Sequence, residues 1–201
     1  MNTVLSTDRP SGEVSTEEMN KLIDLDRYPS DRLDNKAGQL LVAQCRSDLD
    51  DCAAAMLPKV VRQAVITKMA EEAESLVQVA HRYDGDRVTF YEEDDKGCSD
   101  DGSLDSAVRS VRHPNRYCQI LNYQIPNHSD LRAIYLWPPL TEFIRQVLNV
   151  EQLFLSQCPH LALTMKVAYE GDTDGWHYDP NDGVITLVLQ TADNGGEFEY
   201  A

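Results

Sequence analysis

The chain has 201 residues, 42% of them hydrophobic, and carries 34 Asp and Glu against 18 Lys and Arg, a formal net charge of −16. That length fits one large domain, or a small domain with an extension, and supplies enough apolar material for a core. The acidic balance repels phosphate backbones and anionic lipid surfaces, so it disfavours nucleic-acid and membrane partners and reads as a solvated surface.

Met1 to Glu13 is polar, with no apolar h-region, and no apolar run approaches the length of a membrane span. Cys45, Cys52, Cys98, Cys118 and Cys158 are odd in number, irregularly spaced and form no CxxC pair. A reducing, cytoplasmic compartment is expected, with each thiol acting as a small buried hydrophobe.

Residues 1–14 read as a disordered N-terminus and 15–150 as a mainly helical stretch. Ser15-Thr16-Glu17-Glu18 spells a capping box, so a short helix runs toward Leu25. A second helix is expected over 35–49, with Leu40, Leu41, Cys45 and Leu49 on one side. Pro58 suits a helix start, and Val61, Val65, Met69, Ala73 and Leu76 recur at helical spacing, predicting a long helix over 59–82. Val88 and Phe90 alternate with polar residues in a short strand, and the acidic stretch 92–105 reads as a surface loop. Pro138-Pro139 opens a helix with Leu140, Phe143, Ile144, Val147 and Leu148 on one stripe, Trp137 just before it.

From about Glu151 the texture changes. The runs 153–155, 161–169, 184–190 and 197–200 are β-type, separated by turn signals at Cys158-Pro159, Gly171-Asp172, Asn181-Asp182-Gly183 and Asp193-Asn194-Gly195-Gly196. Helices first and antiparallel strands second predict an α+β fold. His177 and Asp179 fall between two of these runs. On extended backbone, residues two apart share a side, so this imidazole and carboxylate can converge on one metal ion. Two His and one carboxylate on one octahedral face is the donor set of non-haem Fe(II) oxygenases. A surface histidine beside a turn aspartate is the plainer alternative.

The string Trp176-His177-Tyr178-Asp179, the strand-like Val184 to Gln190 and Gly195-Gly196-Glu197-Phe198-Glu199-Tyr200 together resemble the Fe(II)- and 2-oxoglutarate-dependent oxygenase superfamily. The nearest likeness is to bacterial free-amino-acid hydroxylases and halogenases. Ile23-Asp24 to Tyr28-Pro29 and Leu136-Trp137-Pro138-Pro139-Leu140 look like that group's helical N-terminal part.

The resemblance implies a helical part packed on an antiparallel double-stranded β-helix, of the jelly-roll or cupin kind, with 151–201 as its first half. It implies Fe(II) held by His177 and Asp179, with 2-oxoglutarate as cosubstrate and O2 consumed. The expected activity is hydroxylation of a small polar molecule such as a free amino acid. Halogenating relatives carry Gly or Ala where this chain has Asp179, so the carboxylate points to hydroxylation. Tyr169 stands where relatives place a cosubstrate-pocket tyrosine, though an ordinary strand tyrosine fits equally. Trp176 either shapes a substrate pocket or closes the barrel mouth. If Tyr169 faces the barrel interior, Lys166 faces out and is no cosubstrate clamp. His81, His113, His128 and His160 precede the motif, whereas the family's distal histidine follows it.

About half the strands of such a barrel are expected here, which leaves three explanations: a fragment of a longer product, completion by another chain or a homo-oligomer, or a degenerate relative that binds a ligand or partner without catalysis.

Overall fold

The structure is a computed structural model that describes residues 14–88, 111–178 and 183–199. Its architecture is α+β, several helices with one small antiparallel sheet. The chain divides into two compact units, each discontinuous in sequence: residues 1–72 with 121–164, and residues 73–120 with 165–201.

The first unit opens on α1 (Thr16–Leu22). Its capping box forms as expected: the Glu18 amide donates to Ser15 Oγ at 3.2 Å, and Ser15 N–H donates to Glu18 Oε2 at 3.0 Å. Beyond it, Ile23 and Val61 form an antiparallel bridge, and the Tyr28 hydroxyl donates to the Pro58 carbonyl at 2.9 Å. Helix α2 (Lys36–Cys52) starts at Asn35, whose side chain accepts from Gly38 N–H, and ends on Ala53 in the left-handed region. Helix α3 (Gln63–Leu76) follows, with its residues 63–72 in this unit and 73–76 in the second. The short α4 (Asp130–Tyr135) and then α5 (Pro138–Val147), which starts at Trp137 with proline in its first turn, complete the unit. Val42 and Cys45 of α2 bury against Phe143 of α5, with Leu41, Leu140, Ile144 and Val147 around them. Each fully buried side chain of this kind contributes about 1.5–3 kcal/mol. Arg46 donates to the Gln146 carbonyl at 2.9 Å, satisfying the C-terminal end of α5.

The second unit is built on β1 (His81–Val88), β2 (Arg112–Ile120) and β3 (Met165–Val167), hydrogen-bonded antiparallel in that order. Tyr83 faces Tyr117, Asp84 faces Arg116, and Cys118 faces both Arg82 and Val167. Directly opposed residues share a face. One face therefore carries Arg82, Asp84, Arg116, Cys118 and Val167. The other carries Tyr83, Arg87, His113, Asn115, Tyr117 and Lys166. Tyr83 and Tyr117 stack at 5.6 Å, and Lys166 Nζ lies 4.6 Å from the Tyr117 ring centre.

Several expectations are corrected. The long helix over 59–82 is shorter at both ends. Lys59 is left-handed and Val61 bridges Ile23, while after Leu76 the backbone tightens into a 3₁₀ turn at Val77–Val79 and enters β1. Helical spacing continues past Leu76, but pairing with β2 outweighs it. On α2, Val42 is buried and Leu40 is exposed, so the apolar stripe is rotated from the expected one. The run 161–169 yields only β3, and 153–155, 184–190 and the described 197–199 lie in no strand. β-forming composition alone does not make a strand; cross-strand pairing is what stabilises one. β2 and α4 were not expected, and the sheet draws two of its strands from the stretch read as mainly helical. Val88 ends β1, whereas Phe90 and the loop 92–105 lie outside the described residues. Among the described residues no helix is long and apolar enough to cross a membrane.

Candidate metal limb at His177

The approach to His177 is fixed by four successive attachments to the sheet of the second unit. First, β3 leads into a turn over 169–172. Asp172 N–H donates to the Tyr169 carbonyl at 2.9 Å, and Gly171 at φ 83° supplies the left-handed third position. The Asp172 carboxylate receives both Arg82 guanidinium nitrogens, at 2.5 and 2.7 Å, and Tyr169 N–H at 3.0 Å. Arg82 first, and then the Tyr169 amide, hold the Asp172 carboxyl down at about 2.

Second, Thr173 exchanges two backbone hydrogen bonds with Arg116, at 2.6 and 3.1 Å, adding an isolated bridge to β2. Third, Asp174 pairs with Lys166 and lies 3.6 Å from Arg87, two cations that project from the Tyr117 face. Fourth, Gly175 N–H donates to the Oδ1 of Asn115, a side chain only 2% exposed, at 3.3 Å. Gly175 is itself buried, and a Cβ there would lie 2.6 Å from His113 Cβ and 2.9 Å from the Pro114 carbonyl. Only a glycine lets the backbone approach β2 this closely.

Two residues later, His177 Nδ1 lies 2.5 Å from the Gly175 carbonyl oxygen. A carbonyl can only accept, so this contact calls for a ring proton on Nδ1. A ring N–H donated to a backbone carbonyl is how metal-ligating histidines are oriented.

The other expected residues take different places. The Tyr169 hydroxyl donates to the Glu74 carboxylate at 3.2 Å, and partial burial, then Glu74, push its pKa up. The Trp176 side chain is about half exposed. Lys166 is exposed on β3 while Met165 is buried. Asp179 lies outside the described residues. Among the described residues no three His, Cys, Asp or Glu side chains group to hold a metal ion. The described donor set therefore amounts to one oriented imidazole. The anchoring residues Asn115, Asp172, Asp174 and Gly175 were not singled out as site residues from sequence. Gly175 directly before Trp176-His177 was the available signal.

No family model, curated protein or solved structure matches the chain.

Proposed function

We propose that the chain carries the metal-binding limb of a non-haem Fe(II)- and 2-oxoglutarate-dependent dioxygenase that hydroxylates a small polar substrate such as a free amino acid. The observation that carries this reading is the His177 Nδ1 contact to the Gly175 carbonyl, the kind of backbone contact that orients metal-ligating histidines. His177 and Asp179 hold the metal, and the Gly175 carbonyl keeps the imidazole from turning. Fe(II) with 2-oxoglutarate and O2 supplies the oxidation of a C–H bond when bound. Trp176, beside the ligand and half exposed, offers an apolar wall to the substrate. In this reading the β-forming runs 184–190 and 197–200 belong to a double-stranded β-helix, in a reducing cytoplasm.

A second reading, a relative that binds a ligand or partner strand without catalysis, is favoured by one feature. Val184, Ile185 and Val188 are exposed in one apolar run, the kind of surface that marks an interaction.

Anaerobic titration with Fe(II) and 2-oxoglutarate tests the first reading. A visible charge-transfer band that Asp179→Ala abolishes is the expected result. A folded chain that gives no band at saturating metal and cosubstrate overturns it. Ligand binding that ignores both metal and His177→Ala supports the second.

A further inference from the structure

We infer that Asn115 is a positioning residue for His177, acting through the Gly175 peptide; its catalytic purpose rests on the metal-limb reading, while its geometry stands apart from it. Three observations make the chain of contacts. Asn115 lies within β2, between two pairs of residues locked into register with β1, and is almost fully buried. A buried side-chain amide in such a place is retained only where its hydrogen bonds are used. Its Oδ1 accepts from Gly175 N–H. The Gly175 carbonyl in turn meets His177 Nδ1 at 2.5 Å.

An N–H and a C=O on one residue are linked by rigid covalent geometry, with only its φ and ψ between them. Gly175 would be the loosest such link, because glycine spans more of φ/ψ space than any other residue. Here two restraints remove that freedom: the Asn115 acceptor on one side, and the close seat against His113 and Pro114 on the other. The direction of the Gly175 carbonyl is thereby set by β2. That carbonyl in turn selects which imidazole nitrogen carries the proton. The register of one strand is thus transmitted to the donor atom of a side chain sixty-odd residues away in sequence, through two hydrogen bonds.

The test reads the tautomer directly, in the metal-free chain, by long-range ¹H–¹⁵N correlation of the His177 ring at a pH where the imidazole is neutral. The wild type is expected to show Nδ1–H in excess. Asn115→Ala should lower the ratio of Nδ1–H to Nε2–H about two- to tenfold, the worth of one ordinary hydrogen bond. Asn115→Asp, which keeps an acceptor in the same place, should restore the ratio. A merely structural role for Asn115 would not move the tautomer.

A wild type that favours Nε2–H, or a folded Asn115→Ala with an unchanged ratio, overturns the inference. Should Asn115→Ala fail to fold, amide exchange at Gly175 in the wild type decides: strong protection supports the inference and exchange at the rate of an open peptide overturns it. A wild type with the Nδ1–H tautomer fixed but no Fe(II) band would remove the proposed function and leave the positioning role standing.

Discussion

Replacing Gly175 with alanine places a methyl group where β2 already stands. The new Cβ would lie 2.6 Å from His113 Cβ, 2.9 Å from the Pro114 oxygen and 3.3 Å from the His113 carbonyl carbon. Carbon atoms in favourable contact lie about 3.5–4.0 Å apart, so the shortfall against His113 is about 1 Å. None of the three atoms is the far end of a flexible side chain, so relief requires the backbone of 172–178 or of β2 to move. Overpacking of this sort costs about 1–3 kcal/mol. Stiffening the unfolded chain returns about 0.4–1 kcal/mol.

With a clash of about 1 Å against a Cβ fixed to the β2 backbone, the cost lies toward the upper end, and the net destabilisation is about 2 kcal/mol. For a chain of this size that lowers Tm by about 4–8 °C. Gly183→Ala is the control, since among the described residues no heavy atom beyond its chain neighbours lies within 4 Å of its Cβ position. Calorimetry of the three proteins, with amide exchange along β2 as a local readout, measures the effect. A Gly175→Ala protein that melts with the wild type, or falls no further than Gly183→Ala, would refute the packing of this glycine on β2.

Gly38→Ala reverses the usual rule for helices. Alanine ordinarily gains about 1 kcal/mol over glycine inside a helix. Here its Cβ would lie 2.2 Å from the Arg32 carbonyl oxygen and 2.7 Å from Leu33 Cα, so loss of stability in urea unfolding is expected. Asp172→Asn should show a pH-dependent deficit. The wild-type carboxyl falls from 3.8 to about 2 on folding, so its ionised form favours the folded state. That contribution is complete above about pH 4 and disappears as pH falls toward 2. The Tm gap between wild type and Asp172→Asn should therefore be widest at neutral pH and close between pH 4 and 2; a gap independent of pH would contradict the Arg82 pairing.

Local signals were legible wherever the deciding interactions were local. The capping box at Ser15 and Glu18, the Asn35 start of α2, the proline-led α5 with Phe143 at its centre, and the turn at Gly171-Asp172 each depend on residues within one turn of chain. β2 was not legible because Pro114 interrupts it and its buried positions, Asn115, Tyr117, Cys118 and Ile120, alternate only in part. The end of α3 was misread because Val77 and Ala80 continue the helical spacing of Ala73 and Leu76 while pairing beyond them draws the chain into β1. At the candidate site, His177 was legible as a motif residue. Its orientation was not, because the Gly175 peptide it contacts is held by Asn115 of β2 and no pattern along 172–178 encodes that partner.

The interleaving of the two units bears on how the chain can fold during its synthesis. Arg46 of α2 and Gln146 of α5, which meet in the finished first unit, are separated by 100 residues. At about 5–20 residues per second, α2 waits about 5–20 s for its partner helix to be made. Throughout that interval Val42 and Cys45 have no Phe143 to bury against. Closing so long a loop carries an entropic cost before any packing is gained. Neither unit can be completed from an uninterrupted piece of chain, so a nascent polypeptide stopped before α5 would present an apolar helix face to chaperones and proteases.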